Sequence, residues 1–142
     1  MCGIAGLIHR GKSSNVGGEM TSMLQALKHR GPDSTGYAVY GDPSSGDYIM
    51  RLKAAEAEDM NKGRGITSIL ENRIAEVDSI LAEHGAVIKS KEAITPYALR
   101  YVLSHNGDTG TMAEHIEETE GVEILSMGNG LELIKDLGDA SV

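Results

Sequence analysis

Ile66-Thr67-Ser68-Ile69-Leu70-Glu71-Asn72-Arg73-Ile74-Ala75-Glu76-Val77-Asp78-Ser79-Ile80-Leu81-Ala82-Glu83-His84-Gly85 is the strongest periodic pattern in the chain, and its reading decides the fold of the middle. Ile66, Ile69, Leu70, Ile74, Val77, Ile80 and Leu81 fall along one face of an α-helix, with polar residues on the other. Gly85 supplies a C-terminal stop, because it tolerates the left-handed conformation that ends many helices. The pattern therefore predicts one long amphipathic helix ending at His84-Gly85.

Working outward, Tyr48 to Lys53 reads as a strand before this helix. Ala86 to Lys89 is strand-like after it, and Tyr97 to Leu103 is a second strand following a Pro-containing break. Gly110 or Thr111 opens a short acidic helix to Thr119, Gly121 stops it, and Val122 to Met127 is a strand again. The order is β-α-β-β-α-β, the split pattern of ferredoxin-like units. In front of it, Gly3 to His9 is a short apolar run that predicts a buried strand. Met20, Met23, Leu24 and Leu27 take helical spacing from Glu19 onward, and Pro32 stops that helix at Arg30-Gly31. Gly36 to Tyr40 predicts a strand that forms a hairpin with Tyr48 to Lys53, and Ala54 to Gly65 reads as a polar linker. After it, Leu131, Leu133, Ile134 and Leu137 return toward the first unit. The fold class is α+β, with an opening unit over 1–50, an inserted βαββαβ unit over 51–128 and a returning segment over 129–142.

The chain's 142 residues are one domain's worth of polypeptide, enough to bury roughly 68–70% of its unfolded surface. It has no Trp or Phe, so Leu, Ile, Val, Met, Ala and a few Tyr must build the core. The net charge of −8 opposes binding to nucleic acid or to anionic membranes, which require a basic face. A single cysteine excludes an internal disulfide and fits a reducing compartment. No basic leader precedes a long apolar run, so neither a signal peptide nor a membrane span is expected, and the cytoplasm is the default location.

That cysteine is Cys2, preceded only by Met1. Removal of Met1 would place a thiol and a free α-amine on one residue. The amine titrates near ~7.7–8.0 and the thiol near ~8.5 in model compounds, so the amine can act as general base for the thiol, directly or through a water. An unremarkable cysteine is the alternative. A second block, Leu27-Lys28-His29-Arg30-Gly31-Pro32-Asp33-Ser34-Thr35-Gly36, reads by itself as a helix exit in which Asp33 and Ser34 bond the turn backbone.

Together the two blocks carry more. Cys-Gly-Ile-x-Gly, then an amphipathic helix, then His-Arg-Gly-Pro-Asp-Ser-x-Gly resembles the class II glutamine amidotransferases, which are N-terminal-nucleophile hydrolases of αββα fold. Gly128-Asn129-Gly130 and its flanks from Leu125 to Gly138 look similar to amidotransferase subunits of glutamate synthase-type enzymes. The resemblance implies that Cys2 attacks the side-chain amide of glutamine and that ammonia passes to a synthase domain or subunit. It implies that Arg30, Gly31 and Asp33 form a supporting loop beside the nucleophile. The family's Gly-His-x-Arg block, whose arginine holds the substrate carboxylate, is absent from this sequence. The family's His-Asn-Gly oxyanion block matches His105-Asn106-Gly107 letter for letter, but inside the inserted unit. Asn106 and Gly107 are therefore either oxyanion-hole candidates or a strand-to-helix turn capped by Asp108 or Thr109. The expectation is the front part of a longer glutaminase module, with little activity by itself; the alternative is a catalytically silent regulatory, amino-acid-binding or docking module.

Nothing else in the sequence competes. His9 ends a strand, His29 and His84 end helices, and His115 lies on an acidic helix, so no pair falls at metal-ligand spacing and no metal is expected. No cofactor is implied. Gly128-Asn129-Gly130 lacks the lysine and hydroxyl of a phosphate-binding loop, and Glu114, Glu117, Glu118, Glu120 and Glu123 read as a solvated face.

Overall fold

A computed structural model describes residues 3–11, 15–30, 34–41, 46–56, 58–59 and 63–137. Its elements are α1 (Val16–Ala26), β1 (Ser34–Tyr40), β2 (Asp47–Lys53), α2 (Ile66–Glu83), β3 (Val87–Ala93), β4 (Ala98–Ser104), α3 (Thr109–Glu117), β5 (Glu123–Gly128) and β6 (Leu131–Leu137), with short 3-10 turns at Lys28–Arg30 and Gly63–Gly65. The class is α+β. Among the described residues no helix is long and apolar enough to cross a membrane.

Two compact units emerge: a central one, Ala38–Ile134, and a terminal one made of Met1–Tyr37 with Lys135–Val142. In the central unit a four-stranded sheet runs in the order β3-β4-β2-β5, with every neighbouring pair antiparallel. Strand, helix, strand, strand, helix, strand is the order along the chain, as the hydrophobic periodicity predicts. Burial along β4 alternates residue by residue, so Leu99, Tyr101 and Leu103 are buried while their neighbours are half-buried. Met50 and Leu52 of β2 join the same core with Leu70, Val77, Ile80 and Leu81 of α2 and Met112 and Ile116 of α3. Each such side chain contributes about 1.5–3 kcal/mol on leaving water. The long helix ends as predicted: Gly85 takes φ +70 just past the His84 cap, the left-handed conformation a Cβ disfavours.

Three expectations fail. Gly36–Tyr40 and Tyr48–Lys53 do not form a hairpin: β1 pairs with β6, and β2 lies between β4 and β5 with both edges occupied. A ladder on each side leaves β2 no free edge for its sequence neighbour. Gly3–His9 carries no strand, and Ile4 and Ile8 are 94% and 92% exposed; apolar composition alone does not make a strand without a ladder partner. The supposed linker after β2 is tied down at its start. Ala54, Ala55 and Asp59 are buried, Arg73 of α2 donates to the Asp59 carboxylate at 2.6 Å and to the Ala54 carbonyl at 3.0 Å, and the Glu56 N–H donates to Asp59 at 3.0 Å. A buried carboxylate is tolerated because it is paired and hydrogen-bonded, and the pairing spans a sequence distance that no linear pattern reveals.

Candidate functional site

The terminal unit holds the two sequence blocks that carry chemistry. Cys2, Gly31 and Asp33 lie outside the described residues, while Gly3 and Arg30, which flank them in sequence, are described. A β-carbon placed on Gly3 would stand 3.2 Å from Leu27 Cβ and 3.3 Å from Arg30 Cβ. The backbone after Cys2 is thus packed against the start of the Arg-Gly-Pro-Asp block, at a distance that glycine suits best. Arg30 itself is exposed, and its N–H donates to the Leu27 carbonyl at 2.8 Å, closing the 3-10 turn after α1.

Further contacts hold this arrangement. His9 Nε2 meets the Glu19 carboxylate at 2.5 Å, fixing the end of the opening run to the first turns of α1. Thr21 Oγ1 and the Tyr37 hydroxyl are 3.2 Å apart, joining α1 to β1. Both contacts are solvent-facing or half-buried and orient more than they stabilise. α1 begins at Val16, earlier than the Glu19 start that the apolar spacing predicts, and has no side-chain cap bond from Asn15.

Asn106 and Gly107 occupy an exposed turn between β4 and α3 in the central unit. The turn geometry has its own local causes. Asp108 caps α3 by accepting from the Gly110 N–H at 2.9 Å and the Thr111 hydroxyl at 2.7 Å. The Thr111 bond and then the Gly110 amide hold this carboxyl below its ordinary value. The buried His105 ring lies over Gly107, where a β-carbon would stand 2.8 Å from Nε2 and Cε1. A side chain at Gly107 would therefore displace the imidazole.

Two groupings escaped the sequence reading. His84 Nε2 and His115 Nδ1 approach to 3.0 Å, although the residues lie 31 apart and neither marks the other in sequence. Among the described residues no group of three or more His, Cys, Asp or Glu side chains is placed to hold a metal ion. Arg51 and Arg100, directly opposite on β2 and β4, both reach the Glu132 carboxylate, with Arg51 Nε at 2.7 Å, Arg100 Nε at 2.9 Å and Arg100 Nη2 at 3.1 Å. Hydrogen bonding to Arg100 is the main reason the Glu132 carboxyl is held below its ordinary value. Alternation along β2 and β4 puts the arginines on one face, but only the fold brings Glu132 to them.

No family profile matches the chain. It is similar to a protein of Methanothermobacter thermautotrophicus provisionally named a glutamine amidotransferase, with 33% identity over 141 residues, covering 97% of this chain and 44% of that protein. It is also similar to the glutamine amidotransferase-like protein GlxB of Rhizobium meliloti, with 25% identity over 140 residues, covering 97% of this chain and 42% of the other. The chain thus spans less than half the length of these curated relatives. Both relatives carry glutamine amidotransferase names.

Proposed function

We propose that the chain carries the nucleophile-bearing segment of a class II glutamine amidotransferase. The observation that carries this reading is the packing of Gly3, the residue after Cys2, against Leu27 and Arg30, the residue that opens the Arg-Gly-Pro-Asp block. The amidotransferase names of two relatives that align along 97% of the chain support it. In this reading 1–50 and 129–142 belong to an N-terminal-nucleophile fold. The insertion over 51–128 is ferredoxin-like, with β2, begun at Asp47, as its first strand; the β3-β4-β2-β5 order supports that assignment.

The chemistry follows from Cys2. Once Met1 is removed, the α-amine takes the thiol proton and the thiolate attacks the side-chain amide carbon of glutamine. The C–N bond breaks and ammonia leaves with the proton. Water then hydrolyses the γ-glutamyl thioester to glutamate and regenerates the thiol. Arg30, Gly31 and Asp33 line and position the nucleophile's pocket. Ammonia passes to a synthase domain or subunit. Asn106 and Gly107 serve as the β4–α3 turn, and the family's Gly-His-x-Arg clamp block is absent from this sequence.

The test is mass spectrometry of the purified chain with Met1 removed. A diazo-ketone analogue of glutamine should add once, at Cys2, with glutamine protecting and Cys2→Ala abolishing the adduct. Labelling by generic thiol reagents alone, unprotected by glutamine, would instead favour a silent regulatory or docking module. That second reading draws on the central unit, which buries a complete core of its own.

A further inference from the structure

We propose that His84 and His115 form a chelating site for a divalent late transition-metal ion, of the copper or nickel type, that ties the end of α2 to α3. His84 Nε2 and His115 Nδ1 stand 3.0 Å apart, with the ring centroids separated by 5.3 Å and the planes inclined at 62°. His84 is the C-cap of α2, and His115 lies in the last turn of α3. Both residues are half-buried, so the pair is seated in the packed surface and still meets solvent. Electrostatics favour a cation at this place. A helix C-terminus carries roughly half a negative charge, and each imidazole stands at one such end. Glu83 and Glu114 adjoin the two histidines in sequence, Glu118 follows one turn after His115, and all three are exposed.

Donor geometry selects the metal. Imidazole nitrogens bind metals at about 2.0–2.1 Å, so two of them at the His84–His115 separation subtend roughly 90–97° at a shared ion. That bite suits the tetragonal and square-planar shells of Cu2+ and Ni2+. Tetrahedral Zn2+ calls for a wider one, and Mg2+ and Ca2+ take oxygen donors. Among the described residues no group of three or more His, Cys, Asp or Glu side chains is placed to hold a metal, so the two imidazoles are the protein's donors and water completes the shell. A neutral imidazole ligates through its unprotonated nitrogen. The hydrogen between Nε2 and Nδ1 therefore moves to the far nitrogen of the ring that carries it, and a tilt of the two rings turns both lone pairs onto the ion. One N–H···N bond is exchanged for two nitrogen–metal bonds, with no proton lost. The inference does not involve Cys2 and stands apart from the glutaminase reading.

The experiment titrates Ni2+ into the purified full chain, stripped of metal with a chelator, and reads calorimetry together with the histidine ring signals in NMR. The expected result is one ion per chain, with the His84 and His115 ring signals broadened first and those of His9 and His29 retained. The Tm should rise with Ni2+ concentration, because only the folded chain brings the two rings together. His115→Asn should weaken Ni2+ binding at least about tenfold, Cys2→Ala should leave it unchanged, and Mg2+ should not compete. Should His115→Asn fail to fold, the broadening pattern of the unaltered chain decides by itself. Broadening centred on His9, binding that Cys2→Ala abolishes, equal competition by Mg2+, or no binding up to about millimolar Ni2+ would each overturn the proposal.

Discussion

The central and terminal units obey the same chemistry but spend their apolar residues differently. The central unit turns its periodicity into burial: α2 places Leu70, Val77, Ile80 and Leu81 in the core, and β2 and β4 alternate into it. The terminal unit has comparable periodicity along α1 and an apolar opening run, yet it buries none of its described residues. Amphipathic pattern is thus a statement about what a segment needs, and only a facing element satisfies it. The contrast also separates two roles. The central unit carries the buried core, whereas Ile4 and Ile8 of the terminal unit face water.

The sharpest way to break that contrast is to truncate a leucine in each unit. Leu81 is fully buried, and Leu81→Ala should cost about 2–5 kcal/mol in urea unfolding followed by far-UV circular dichroism. Leu24 of α1 is only half-buried, and Leu24→Ala should cost less than about 1 kcal/mol. Equal costs would mean that the terminal unit has a core after all. Glycine substitution gives the next largest effect. Gly121 has φ +76 and would direct a β-carbon into the Arg73 guanidinium, whose bonds to Asp59 and Ala54 pin the segment after β2. Gly121→Ala should therefore destabilise by about 1–3 kcal/mol. Gly6 has open space around its β position, and Gly6→Ala should change stability by no more than about 0.5 kcal/mol.

The same contrast explains what could be read from sequence. The central unit was legible because each element carries its own signal: the α2 stripe, Gly85 as its stop, Asp108 as the α3 cap, and β4 alternation. Its order along the chain follows directly. What was illegible is pairing. Nothing local says that β1 pairs with β6 and not with β2, that Asp59 belongs to Arg73, or that His84 meets His115. At the candidate site, the Cys-Gly and Arg-Gly-Pro-Asp blocks were readable as motifs, and the contact of Gly3 with Arg30 is the spatial relation that sequence does not contain. The opening strand was misjudged for the converse reason: its apolar composition is real, but no described strand lies beside it.

The smallest effect separates the units by pH. Glu132 is held below the ordinary glutamate value, first by its hydrogen bonds to Arg100 and also by Arg51, and its side chain is only 18% exposed. A lowered value in the folded state means that the stabilisation is present above the unfolded value, near ~4.3, and is lost as the pH falls through and below it. Glu132→Gln should cost about 1 kcal/mol near neutrality, the range of a partly screened charge-assisted pair, and should flatten the acid limb of the stability profile measured by urea unfolding between neutral and acid pH. The Glu19 side chain, paired with His9 in the terminal unit, is more exposed at 44%, and Glu19→Gln should leave that limb unchanged. An unchanged limb in Glu132→Gln would show that the Arg51–Arg100–Glu132 cluster is screened like a surface pair.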